Sequence, residues 1–406
     1  MSRTVPDPVP VVAQELALSM DGVKAVVRLL DEGNTVPFIA RYRKEATGGI
    51  DEVGIRDIQD RLGYLRALEE RRDTILTSIS EQGRLTPELE TRILRCMVKA
   101  ELEDLYLPYK PKRRTRGTVA LALGLGPLAD RILSQERDGD PIREARRYVG
   151  ADVSDPEAAL QGARDIAAER IAEDAPIRRG LRILWRREAS LRSRKARGAP
   201  EGPTPFDRWL SHEEPAHRVP SHRYLALRRG EREGVLSLKL RVAPERVLPW
   251  LVERVGHHPR SPWAEQLRQA AEDTATRLLA PAMETALHQE LKERADKEAI
   301  AIFARNLEDL LLAAPFGQRP VLGLDPGFRT GCKCAAMDGT GRFLAYRTIH
   351  PHTGADAKAR AARDLEDLVR RTCPEALAVG NGTAGRETQT FARKVLDDMG
   401  RTDLPV

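Results

Sequence analysis

Residues 319–338 read RPVLGLDPGFRTGCKCAAMD, and after a polar turn residues 342–352 read RFLAYRTIHPH. Val321, Leu322 and Leu324 form a short apolar run that Asp325, Pro326 and Gly327 bring to a halt. That pattern predicts a buried strand ending in a tight turn, with an acid at the strand tip. Small and apolar residues over 332–337 lead into Asp338-Gly339, a dipeptide that favours a hairpin, and residues 343–349 supply a third strand. Three strands are expected to pair in the order in which they occur.

Residues 355–371 put Ala361, Leu365 and Leu368 on one helical face, and residues 376–379 make a fourth strand that opens into Gly380-Asn381-Gly382-Thr383 ahead of another helix. Strand, strand, strand, helix, strand, helix, with an acid closing the first strand, resembles a ribonuclease H-like domain. The actin and sugar-kinase ATPases open in the same order, with a phosphate loop that residues 325–330 resemble. Order alone does not separate the two.

The wording is more specific than the pattern. VLGLDPGFRTGCK (321–333), with LLLAAPFG (310–317) before it and VGNGTAGRET (379–388) after it, resembles the YqgF-type domain of the bacterial Tex family of transcription accessory proteins. VPFIARYRKEATGGIDE (36–52), LPYKPKRRTRG (107–117) and HRYLALRRGEREGVLSLKL (222–240) resemble further strings of that family, so the resemblance runs through nearly the whole chain. It implies a mainly α protein: a multi-helical N-terminal region with a helix-turn-helix-like unit, then a partial α/β RNase H-like (YqgF-type) domain. It also implies sequence-nonspecific binding of RNA or DNA, assistance to transcription, and contact with the transcription machinery. Family members continue with helix-hairpin-helix elements and an OB-fold RNA-binding domain that this sequence does not contain, so it reads as the front half of that architecture, an apparently truncated member.

At 406 residues the chain is too long for one small core. The expected partition is a helix-turn-helix-like unit over 1–75, a helical domain with a basic arm over 76–200, a helical linker region with short strands over 201–319 and the incomplete YqgF/RNase H-like domain over 320–406. Aromatics are 4% of the residues, while Leu, Ala, Arg and Glu dominate, a mixture that favours helices. A net charge of +6 is mild for this length and permits a polyanion partner without requiring one. Cys96, Cys332, Cys334 and Cys373 lack C-x-x-C spacing, so neither a metal site nor a disulfide is expected, and Cys332 with Cys334 reads as a pair of small core residues on one strand face. Prolines break the opening MSRTVPDPVPVV where a signal peptide needs an apolar core, and no apolar run approaches the roughly 20 residues of a membrane span. A cytoplasmic protein without cofactor is expected.

Along the chain, residues 11–18 read as a short helix, and Asp21 is placed to cap a second over 22–32 that Gly33 stops. Arg41, Arg43 and Lys44 follow in a short basic segment, which suits either a DNA-reading unit or a helical bundle with solvated cations. Asp51 starts a long helix with apolar positions Ile55, Ile58, Leu62, Leu65, Leu68, Leu76 and Ile79, and Thr86-Pro87 starts the next, running through Ile93 to Val98. Residues 107–117 form a non-helical basic arm with Lys110, Lys112, Arg113, Arg114 and Arg116 around two prolines. Such an arm can neutralise phosphates while Tyr106 and Tyr109 stack on bases, or it can be a solvated linker in which Arg113 and Arg114 pair with Glu101, Glu103 and Asp104.

Helices are expected over 127–133, 142–148 and 156–173, and a strongly basic one over IRRGLRILWRREASLRSRKARG (177–198). There Arg178, Arg182 and Arg186 fall four apart, so their mutual repulsion would be relieved by a bound nucleic acid or by acidic neighbours within the fold. GAPEGPTP (198–205) reads as a loop between lobes, residues 234–242 as a strand, and residues 263–312 as helix. His257-His258 and His350-Pro351-His352 have turn-like rather than ligand spacing.

A ribonuclease H-like nuclease holds two divalent ions among several carboxylates. Asp325 matches the first acid, but the end of the fourth strand offers Asn381 in a neutral stretch, and Glu387 would enter from another direction. Asp325 and Asn381 therefore mark a degenerate site with no catalytic residue, and Asp325 is expected to cap the Pro326-Gly327 turn. The alternatives of other classes are a metal-dependent RNase H/RuvC-like nuclease and a non-catalytic interaction scaffold. An ATPase would need a second phosphate loop and an adenosine pocket.

Overall fold

Side-chain caps decide where three of the first six helices begin. The computed structural model describes residues 7–111 and 114–406 and divides into two units, Met1–Ile302 and Phe303–Val406. In the first unit, α1 (Val9–Glu15) precedes α2 (Met20–Asp31), whose cap is Ser19 rather than the expected Asp21: Ser19 Oγ accepts the Gly22 N–H at 3.2 Å. Asp21 lies inside the first turn, where its charge suits the helix dipole but its carboxylate is past the capping position. Gly33 ends α2 at φ +83°, a conformation that favours glycine. The basic segment begins as a further helix, α3 (Val36–Tyr42). Asp51 then caps α4 (Glu52–Glu81) through the Gly54 N–H at 2.8 Å, and Thr86 caps α5 (Pro87–Arg95) through Leu89 N–H at 3.3 Å.

Contrary to expectation, α5 stops at Arg95, before Val98. The reason is buried Arg72 of α4, which donates Nε to the Ile93 carbonyl at 3.2 Å and Nη2 to the Cys96 carbonyl at 2.8 Å. Carbonyls that a longer helix would satisfy internally are thus taken from outside. A new helix, α6 (Lys99–Tyr106), follows. The apolar stripe of α4 serves two clusters in succession: Ile55, Ile58, Leu62 and Leu65 join Val12, Val23, Val26 and Ile39, whereas Leu68, Ile75, Leu76 and Ile79 join Leu89, Ile93 and Leu102.

A larger core runs from Ala120 to Ala295. It gathers α7 (Arg116–Ala122), α8 (Gly126–Ser134), α9 (Pro141–Ala145), α10 (Pro156–Ala172) and α11 (Ala175–Glu188). Asp155 and Asp174 cap the last two, accepting from Ala158 N–H at 2.9 Å and Ile177 N–H at 2.8 Å. The basic helix expected to reach residue 198 ends at Glu188. Residues beyond it switch from helical spacing to alternation, with Leu191 and Ser193 buried, and form β1 (Ser190–Lys195). β1 pairs antiparallel with β2 (Ser211–Pro215) on one side and, beyond α12 (Ser221–Arg232), with β3 (Leu236–Arg241) on the other, giving the order β2-β1-β3. The 198–205 loop therefore joins two strands of one sheet. α13 (Pro244–Arg254), α14 (Ala264–Asp273), a π-helical turn (Thr274–Leu279) and α15 (Ala280–Leu311) complete the succession.

The second unit has the expected succession: β4 (Val321–Asp325), β5 (Cys332–Met337), β6 (Phe343–Ile349), α16 (Ala355–Thr372), β7 (Ala376–Val379) and α17 (Gly385–Asp398). The order is β6-β5-β4-β7; β4, β5 and β6 are antiparallel neighbours, and β7 lies parallel to β4 with Leu322 opposite Leu377. Leu322, Leu324, Cys332 and Cys334 form the buried sheet face, packed with Leu365 and Leu368 of α16 and Phe391 and Leu396 of α17. Both cysteines are thus small core residues, as read from the sequence. Among the described residues no helix is long and apolar enough to cross a membrane.

Candidate nucleic-acid interface

The cations of the first basic segment stand clear of the fold's acids. Ile39 of α3 is fully buried, which turns the opposite side of this short helix outward. Tyr42 is 67% exposed, its ring centroid 5.3 Å from that of Phe38, and the Arg43 guanidinium lies 5.6 Å above the Phe38 ring. Arg41, Arg43 and Lys44 are exposed and, among the described residues, have no ion-pair partner. The result is an aromatic step edged by three unneutralised positive charges. Sequence reasoning named the cations and missed the rings, although the i, i+4 spacing of Phe38 and Tyr42 away from Ile39 was the signal.

The second basic segment is less extended than expected. Leu107–Tyr109 forms a 3₁₀ turn, and Arg116 is the first residue of α7, because Thr115 and Thr118 build a reciprocal capping box there. Lys110, Arg114 and Arg116 are exposed; Lys112 and Arg113 lie outside the described residues. Tyr106, one of two rings expected to stack on bases, is only 7% exposed, with its hydroxyl 3.0 Å from Ser78 Oγ. Tyr109 is partly buried, with the Arg84 guanidinium 4.6 Å above its ring.

The arginines of α11 are engaged within the protein. Arg178 Nε donates to Asp104 Oδ1 at 2.6 Å, Arg182 donates to the other oxygen of Asp104, and Arg186 forms a two-pronged pair with Glu290 at 2.7 and 2.8 Å. Asp104 is buried, so Arg178 and Arg182 bind α11 to α6. The repulsion along the face is relieved by acidic neighbours.

At the strand tip of the second unit, the Asp325 carboxylate is exposed and accepts no hydrogen bond among the described residues, so it does not cap the Pro326-Gly327 turn as expected. Pro326 has no N–H to offer it, and the neighbouring backbone contact is the Gly380 N–H donated to the Leu324 carbonyl at 2.8 Å. A Cβ on Gly380 would lie 3.8 Å from Asp325 Oδ1, so the glycine loop borders the carboxylate. Asn381 and Glu387 are exposed, and behind them His352 Nε2 lies 2.9 Å from the hydroxyl of buried Thr388, with Phe328 edge-on to the His352 ring at 5.4 Å. No group of three or more His, Cys, Asp or Glu among the described residues is arranged to hold a metal ion.

Three family models match successive parts of the chain: Tex-like protein N-terminal domain over 7–80, Tex central region-like over 136–303 and Tex protein YqgF-like domain over 319–405. Protein YhgF of Escherichia coli (strain K12) is 48% identical over 393 residues, covering 94% of this chain and 50% of that protein. The transcriptional accessory protein Tex of Neisseria gonorrhoeae is 40% identical over 402 residues, covering 97% and 52%. The S1 RNA-binding domain-containing protein 1 of Pongo abelii is 29% identical over 382 residues, covering 90% and 38%. The chain spans about half the length of the bacterial relatives it matches.

Proposed function

The chain belongs to the Tex family, and from that premise we propose that it is a nucleic-acid-binding transcription accessory factor whose RNase H-like domain is a framework rather than a nuclease. The observation that carries the reading is that exposed Arg41, Arg43 and Lys44 have no ion-pair partner among the described residues, next in sequence to the exposed Tyr42 ring and with Arg43 over that of Phe38. Phosphates supply the missing negative charge, and an exposed ring offers a face to any base, so the contact is sequence-nonspecific. Lys110, Arg114 and Arg116 extend the same chemistry, and Lys112 and Arg113 belong to the same segment. Arg178 and Arg182 are left out of the proposed contact because Asp104 already neutralises them, and Arg186 joins only by giving up Glu290. The names of two relatives, a transcriptional accessory protein and an S1 RNA-binding domain-containing protein, support a partner among transcripts, their templates or the transcription machinery. Such a role would be exercised in the cytoplasm.

Fluorescence anisotropy with single-stranded RNA and duplex DNA across a salt series tests the binding. Each phosphate contact contributes roughly 0.7–0.9 to the slope of log affinity against log salt. Neutralising Arg41, Arg43 and Lys44 together is expected to flatten that slope by about 2; an unchanged slope rejects the interface. For the missing nuclease, incubation of single-stranded, duplex and four-way-junction substrates with Mg²⁺ or Mn²⁺ is expected to leave them intact. Cleavage abolished by Asp325→Asn would reverse that part of the proposal.

A further inference from the structure

Four arginines meet at one concavity of the helical unit. The cleft, of ≈ 560 Å³, is walled by α5, α6, α11 and α13. Arg92 and Arg95 enter from the last turn of α5, Arg179 from α11 and Arg254 from the end of α13. Two acids share the space, and both are already committed: Glu101 Oε1 is 3.3 Å from Arg179 Nε, while Asp104 holds Arg178 and Arg182. Among the described residues, Arg92, Arg95 and Arg254 have no ion-pair partner. Arg254 is steadied instead by the Trp250 ring, 4.3 Å below its guanidinium, and Gly180 fixes that ring from the other helix, since a Cβ there would lie 2.6 Å from Trp250 Cζ2.

Arg92 and Arg95 are three apart on one helix and repel each other, while the start of α11 beside them is already capped by the Asp174 carboxylate and leaves the arginines as the charge to be matched. A lone carboxylate would leave most of that charge unmatched. A phosphate group carries up to two negative charges on oxygens spaced for guanidinium forks. Leu105 and the exposed Ile183 add an apolar side, and the volume falls within the range of small-molecule sites, about 300–1,000 Å³. We propose that this cleft binds a phosphate-bearing ligand of nucleotide size. The phosphate can come from a free nucleotide or from a nucleic-acid strand, and the proposal does not depend on binding at α3.

Isothermal titration of the full chain with inorganic pyrophosphate, adenosine monophosphate and a short single-stranded oligonucleotide tests it. Arg95→Ala/Arg254→Ala is compared with Arg241→Ala/Arg260→Ala, which removes two exposed arginines outside the cleft; circular dichroism melting checks that both remain folded. Affinity is expected to fall about tenfold or more in the cleft variant and to hold in the other. Loss confined to pyrophosphate and the mononucleotide assigns the cleft to free nucleotides, and loss confined to the oligonucleotide assigns it to a strand; either supports the site. No binding of any of the three at millimolar concentration, or equal binding by both variants, overturns it. Unchanged binding at α3 in the presence of such a failure would leave the proposed function standing.

Discussion

Glu169 Oε1 accepts the backbone N–H of Gly117 at 2.9 Å, and the absence of a side chain at Gly117 is what admits the carboxylate. A Cβ at that position would lie 2.6 Å from Glu169 Cδ. The same carboxylate accepts from the Thr115 hydroxyl at 3.0 Å, so an acid of α10 organises the first turn of α7, where the N–H groups have no partner within the helix.

Gly117→Ala is therefore expected to displace the buried Glu169 side chain and lower stability by about 1–3 kcal/mol. Urea denaturation of the two proteins measures it. An unshifted midpoint would mean that Glu169 moves aside at no cost.

Removing Asp104 should be costlier than removing its partners. Asp104→Ala leaves Arg178 and Arg182 charged in a mostly buried position, a situation that costs about 3–5 kcal/mol. Adding Arg178→Leu and Arg182→Leu to that variant is expected to recover part of the loss by the same denaturation measurement. Failure to recover would show that packing, not charge, dominates at this joint.

Burial pushes the His288 imidazolium down to about 4 from 6.5, with Arg228 and Lys239 adding repulsion, while the Tyr224 hydroxyl donates to the His288 carbonyl at 2.9 Å. Between those two values the unfolded chain binds a proton that the folded chain refuses, so stability declines as pH falls from about 6.5 toward 4. Thermal melts at pH 7 and pH 5 should separate less in His288→Gln than in the parent. Equal separation would exclude His288 as a source of acid sensitivity.

Arg72→Met keeps much of the side chain's bulk and loses both carbonyl contacts, to Ile93 and Cys96. A loss of about 2–3 kcal/mol is expected, since each bond has a charged donor. Amide exchange should quicken most at the end of α5. A uniform change along the chain would argue against a local cap.

The α/β unit was legible because its signals are local: apolar runs, Asp338-Gly339 and the helical spacing of Leu365 and Leu368 fix each element within a few residues. The long α4 was legible for the same reason. β1 was not, because SLRSRK follows a basic helix with no proline or glycine between them, and its strand character arises from neighbours distant in sequence, β2 and β3. The end of α5 depends on Arg72, 21 residues away from Ile93, and no local rule reports it. At the candidate interface the cations were visible in the sequence, but which of them the fold neutralises was not. Asp104 lies 74 residues from Arg178, and Glu290 lies 104 from Arg186.

α4 is 30 residues long, roughly 45 Å at 1.5 Å per residue, and both early apolar clusters are threaded on it. One rod with two loads leaves neither cluster free to melt by itself: loosening at Ile79 removes support from Leu65 through a continuous helical ladder, the change from one cluster to the other falling between Leu65 and Leu68. The whole early region should accordingly behave as one exchange unit, and a flexible insertion between Leu65 and Leu68 is the change that would let its halves part company.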